Sequence, residues 1–116
     1  MKQSILNTIK RMIGPSQFYN EFDTDLIIHI NTALMILAQL GVVKDGTRIS
    51  DETTTWDEIV DGRQDIEGIK DYVYIKVKLL FDTPTSSIIQ SALEKNLAEI
   101  EWRLHVFSDN SEPKTN

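Results

Sequence analysis

The segment from Asp65 to Asp82, "DIEGIKDYVYIKVKLLFD", decides the fold class of this chain. Val73, Ile75, Val77 and Leu79 alternate with Tyr74, Lys76 and Lys78, the period of a strand. Ile66, Ile69, Val73, Val77 and Leu80 also recur at helical spacing, and Asp65 stands where a cap belongs. Length arbitrates, because about seventeen residues without a turn signal exceed an ordinary strand. The segment reads as a helix ending at Phe81, held by packing against its β-branched propensity. Tyr72, Tyr74 and the stems of Lys76 and Lys78 then border its apolar face.

With that segment helical, the whole chain reads as all-α. Ile5, Leu6, Ile9, Met12 and Ile13 give a short N-terminal helix that Gly14-Pro15 stops. The following "SQFYNEF" is a linker whose Phe18, Tyr19 and Phe22 tuck onto the core. "DTDLIIHINTALMILAQLG" opens with Asp23 or Thr24 as N-cap and closes at Gly41. Its apolar side, Leu26, Ile27, Ile30, Ala33, Leu34, Leu37 and Leu40, is widened by Ile28, Met35 and Ile36. Such a helix is either central in the core or covered by a neighbouring subunit.

From Gly41 to Thr55 the chain is an irregular loop. Asp45-Gly46 is a tight-turn signal through which Val42-Val43 and Arg48-Ile49 could pair as a short β-hairpin. "TWDE", Thr55 to Glu58, matches a capping box for a short helix through Val60 that ends near Gly62. Trp56 is its core anchor rather than a ligand platform.

Thr83 before Pro84 is pushed out of the α region, so "DTPTSS" is a tight link. Thr85 or Ser86 caps a last long helix with the stripe Ile89, Leu93, Leu97, Ile100, Leu104 and Phe107. Glu99 and Arg103 form an i,i+4 pair along it, and His105 follows Glu101 by one turn as a surface pair. Two long helices joined so briefly pack as an antiparallel hairpin, which makes Asp82 a turn acid rather than a catalytic one. The expected core anchors are Leu34, Leu37, Trp56, Val73, Val77, Leu93, Leu97, Ile100 and Leu104. One helical domain spans residues 1–107, and residues 108–116, with no apolar side chain, form a disordered tail.

Charge and composition exclude more than they assign. No apolar run approaches the ~20 residues of a membrane helix, and "MKQSILNTIKRMIG" lacks the apolar core and cleavage site of a signal peptide. The chain has no cysteine and two histidines, His29 and His105, so a metal site would rest on carboxylates. No phosphate-cradling loop, HExxH, nucleophile elbow or Cys–His pair is present. No enzyme, cofactor or metal is expected.

Net charge is −6, and the segment Asp45–Asp71 holds all of it, with nine acids against Arg48, Arg63 and Lys70. A phosphate-gripping basic face is missing, so specific nucleic-acid binding is not expected. The acidic middle is either a solvated loop that keeps the protein soluble or a surface that must not hold passing DNA. Asp51, Glu52, Asp57 and Glu58 are its candidate channel or docking-rim residues.

"FDTDLIIHINTALMILAQLGV", the tryptophan of "TTTWDEIV", and "IKDYVYIKVKLLFDTPTSSIIQSALEKNLAEIEWRL" resemble the small head–tail connector (adaptor, or head-completion) proteins of tailed bacteriophages and prophages. The resemblance runs from about Ile5 to Leu104 and rests most on "DTDLIIHIN", "KVKLLFDTPTSS" and "EIEWRL"; the loop "VVKDGTRISDE" matches no family pattern. It implies an α-helical virion protein, made in the bacterial host cytoplasm, that forms a ring of about twelve copies beneath the portal protein. The free protein could be a monomer until a portal is present. The resemblance further implies that the ring extends the DNA channel, seals it after packaging and docks a tail or head-closure (stopper) protein. It brings no catalytic residue. The competing expectation is a small helical regulatory adaptor that binds one phage or host protein and stays a monomer or dimer.

Overall fold

The computed structural model describes residues 3–13, 22–60, 65–81 and 84–111. Within them lie α1 (Ile5–Ile13), α2 (Asp23–Gln39), α3 (Trp56–Ile59), α4 (Ile66–Phe81) and α5 (Ser87–Ser111). The ambiguous segment is α4, and the fold is a small all-α bundle. Ile69, Tyr72, Val73, Ile75 and Val77 of α4 are all buried. At 100° per residue, Ile75 and Val77 sit at opposite edges of an arc too wide for one contact face. α4 packs against α1, α2 and α5 together, which explains that arc. Packing on three sides outweighs propensity differences of a few tenths of a kcal/mol per residue.

Tyr72 departs from its expected border position. It is fully buried, and its hydroxyl donates to Glu101 Oε2 across the α4–α5 contact at 2.9 Å. Gly68 lies beneath Leu104, where a Cβ would stand 3.5 Å from Leu104 Cδ2. Residue numbers rise along one helix as they fall along the other, so α4 and α5 are the antiparallel hairpin. α5 continues to Ser111, past the Phe107 end of its stripe.

Local chemistry fixes the helix ends. Ser4 Oγ accepts the Asn7 N–H at 3.2 Å and caps α1. At the start of α2, Asp23 is the first helical residue rather than the cap, and Phe22 holds the cap position. The Asp23 carboxylate instead pairs with Lys10 of α1 at 2.8 Å, a placement that also suits the helix dipole. At the other end, Gly41 has φ +81°. Its N–H donates to Ala38 O at 3.0 Å and that of Val42 to Leu37 O at 2.9 Å. Those two bonds are a Schellman motif, with buried Val42 packing as its apolar partner.

The loop after α2 does not form the expected hairpin. Thr47 N–H donates to Lys44 O at 3.2 Å around Gly46, whose φ is +84°. Asp45 has no positive φ, so the turn is of type II rather than the type I′ that matches strand twist. Asn31 of α2 takes the strand's place. Its Nδ2 donates to Ile49 O at 2.9 Å and its Oδ1 accepts the Ile49 N–H at 2.8 Å. Among the described residues the isolated β-bridge joins Ser4 and Thr55, with Ile5 N–H on Thr54 O at 3.0 Å and Trp56 N–H on Gln3 O at 3.1 Å. The Trp56 indole N–H reaches Thr8 Oγ1 at 3.1 Å inside the core.

Leu34, Leu37, Trp56, Val73, Val77, Leu97 and Leu104 are buried, and Leu93 and Ile100 are half-buried against them. Ile89 and Phe107, the ends of the α5 stripe, are exposed. Gly14-Pro15, Phe18, Tyr19, Gly62 and Asp82 lie outside the described residues. Phe22 does not tuck into the core: it is 37% exposed, its ring edge-on to Phe81 with centroids 5.7 Å apart.

Candidate docking surfaces

Among the described residues, His29 and His105 each contact a different helix. His29 is half-buried, its ring edge-on to Phe81 at 6.3 Å. His105 does not pair with Glu101: its Nδ1 lies 3.1 Å from Leu40 O at the end of α2, while Glu101 accepts the Tyr72 hydroxyl. Burial first, then the hydrogen bond and charge of Glu101, push the Tyr72 phenol well above its ordinary range. Among the described residues no group of three or more His, Asp or Glu is placed to hold a metal ion. These contacts join one helix to another.

The four candidate rim acids all lie exposed in the loop before α3 or on α3 itself. Two of them shape the backbone. Asp51 Oδ1 accepts the Thr53 N–H at 2.8 Å and the Thr53 hydroxyl at 2.6 Å, which lowers its pKa. Glu58 Oε2 accepts the Thr55 N–H at 2.7 Å and the Thr55 hydroxyl at 3.1 Å, the capping-box contact read from "TWDE". Glu52 and Asp57 point to solvent beside them.

Among the described residues, the most exposed large apolar side chains lie on α2 and α5. On α2, Ile28 and Met35 are 56% and 54% exposed. With Thr32 they form one wall of a groove whose other wall is the turn Asp45–Arg48. Among the described residues nothing covers the outer face of α2, and α4 occupies the central position. On α5, Ile88 and Trp102 are 80% and 65% exposed on the side away from the core. The stronger core stripe of α5 masks this outward pair in the sequence, although their separation of fourteen residues is two heptads.

Uncovered apolar faces on a helical bundle are surfaces suited to contact with other proteins. The family model described as phage connector protein matches residues 5–111, nearly the whole chain. The chain belongs to the phage connector protein family. No curated protein and no solved structure matches it. As a connector it has a structural role in the phage particle, in association with portal and tail proteins. Among the described residues no helix of the connector is long and apolar enough to cross a membrane.

Proposed function

We propose that copies of this connector form a ring beneath the portal, about twelve in number, that extends the DNA channel and offers a docking face to a tail or head-closure protein. The observation that carries this reading is the outer face of α2, where Ile28 and Met35 stand exposed beside a groove. A ring subunit needs apolar surface beyond its own core, on which the next copy can seat. The connector domain includes all of α5, which runs past residue 107 to Ser111.

DNA passes through without specific binding, in keeping with a net charge of −6. Asp51, Glu52, Asp57 and Glu58 lie near the DNA path or the docking rim. Exposed charge is screened within ~8 Å at physiological salt, so these acids act only on what comes that close.

The test is to mix the protein with portal-bearing capsids and follow its co-sedimentation and the appearance of rings by electron microscopy. Joining is expected for the parent and lost for the folded double variant Ile28→Asp/Met35→Asp. Changing Asp51, Glu52, Asp57 and Glu58 to lysine should lower particle yield, with salt partly restoring it. A Glu58→Gln control separates the loss of the cap. A protein that stays monomeric or dimeric beside portal-bearing capsids refutes the ring and favours the regulator.

A further inference from the structure

We propose that the outward face of α5 is a docking site for a second copy of this chain, the two α5 helices lying antiparallel. The face comprises Ile88, Ala92, Lys95, Glu99, Trp102 and Val106. Their spacings are four, three, four, three and four, the alternation of a and d positions in a heptad. α5 is long enough to carry it: at 1.5 Å per residue the stripe runs about 27 Å. Ile88, Ala92, Lys95, Glu99 and Trp102 are exposed, and Val106 is half-buried at the far end. A surface helix serving only its own core has no use for a second heptad seam carrying a tryptophan and an isoleucine.

The identity of the occupant follows from how the stripe reads against itself. Antiparallel coiled helices place an a residue opposite a d residue. In the register that centres the stripe on its own dyad, Ile88 meets Val106 of the second copy, Ala92 meets its Trp102 and Lys95 meets its Glu99. The two-fold axis repeats each contact. Every layer is complementary: apolar on apolar, a large ring over a small side chain, and cation on anion. Arg103 already holds Glu99 Oε1 through Nε and Nη2 at 3.0 and 2.8 Å, so Oε2 is the atom offered to the second copy's lysine. A parallel pairing would set lysine against lysine and glutamate against glutamate, so the charge order selects one direction. Such an isologous contact closes on itself and adds no third copy through that face. It uses α5 rather than α2, and it stands or falls independently of the ring.

Sedimentation equilibrium of the purified chain over a concentration series tests this, with circular dichroism to verify folding. The parent is expected to dimerise. Lys95→Glu and Glu99→Lys should each weaken the dimer tenfold or more, and Trp102→Ala by roughly tenfold, the size of one interface anchor. The double variant Lys95→Glu/Glu99→Lys should dimerise like the parent, because both ion pairs re-form with their signs exchanged. All of these side chains face solvent, so helix content should hold. A parent that is monomeric at every concentration overturns the proposal. So does association that the single variants leave unchanged, or a folded double variant that does not recover.

Discussion

Replacing Asn31 by alanine should loosen the loop from α2 and cost the protein a measurable share of its stability. The Asn31 amide makes two hydrogen bonds to the backbone of Ile49, at 2.9 and 2.8 Å. Ile49 itself is fully buried, so its N–H and C=O have few other partners within reach. Each bond is worth about 0.5–1.5 kcal/mol net, and a buried group left unpaired costs about 1–3 kcal/mol. The Asn31 site is half-buried and water can enter once the amide is gone, which puts the total near 2–3 kcal/mol. For a domain of this size that lowers the melting temperature by roughly 8–12 °C. Calorimetry reads the loss, and hydrogen exchange at the Ile49 amide localises it. Asn31→Asp is the informative companion: it keeps the acceptor but sets a carboxylate against Ile49 O. Its deficit should shrink below about pH 4, where the introduced carboxyl gains a proton to donate. If Asn31→Ala melts within about 2 °C of the parent and the Ile49 amide stays protected, burial of Ile49 alone holds the loop and the reasoning fails.

Leu97→Asp should abolish the cooperative transition, since losing a buried leucine costs roughly 1.5–3 kcal/mol and an unpaired buried carboxylate more; parent-like melting would remove Leu97 from the core. The fold keeps the Tyr72 proton past the ordinary phenol value of 10.0. That contribution is therefore intact below pH 10 and lost as pH rises beyond it. Tyr72→Phe should flatten this alkaline loss in urea titrations while costing about 1 kcal/mol at neutral pH. Glu58→Ala should cost about 1 kcal/mol through α3 and its cap, with Glu58→Gln closer to the parent, by chemical denaturation.

The elements that carry a period were legible in the sequence, because burial on one side of a helix writes itself into spacing. α4 was readable as a helix on length, even with a strand-like alternation laid over it. The Schellman end at Gly41 and the Glu58 cap were readable because each needs a particular residue at a particular offset. Asn31 was not. Its partner is the backbone of Ile49, eighteen residues on, and a backbone partner leaves no trace in residue identity. The "DG" turn misled for a related reason: Asp-Gly permits the hairpin turn, and the side chain of Asn31 decided against it. Of the candidate surfaces, the acidic loop was visible as composition. The outward heptad of α5 lay in plain spacing, masked by the stronger core stripe on the same helix.

The clasp on the first helix has a consequence for the order in which this protein is made. Gln3 and Ile5 bond to Trp56 and Thr54, Thr8 receives the Trp56 indole, and Lys70 Nζ reaches Gln3 Oε1 at 3.1 Å. Those partners lie 48 to 67 residues downstream. A nine-residue helix is too short to persist alone in water, so α1 leaves the ribosome without the surface that shelters Ile5, Leu6 and Ile9. At about 5–20 residues per second, translation keeps it waiting for several seconds before Trp56 and α4 emerge. During that interval its apolar side is open to whatever binds nascent chains, and the last-made partner, not the helix's own propensity, sets the moment at which it folds.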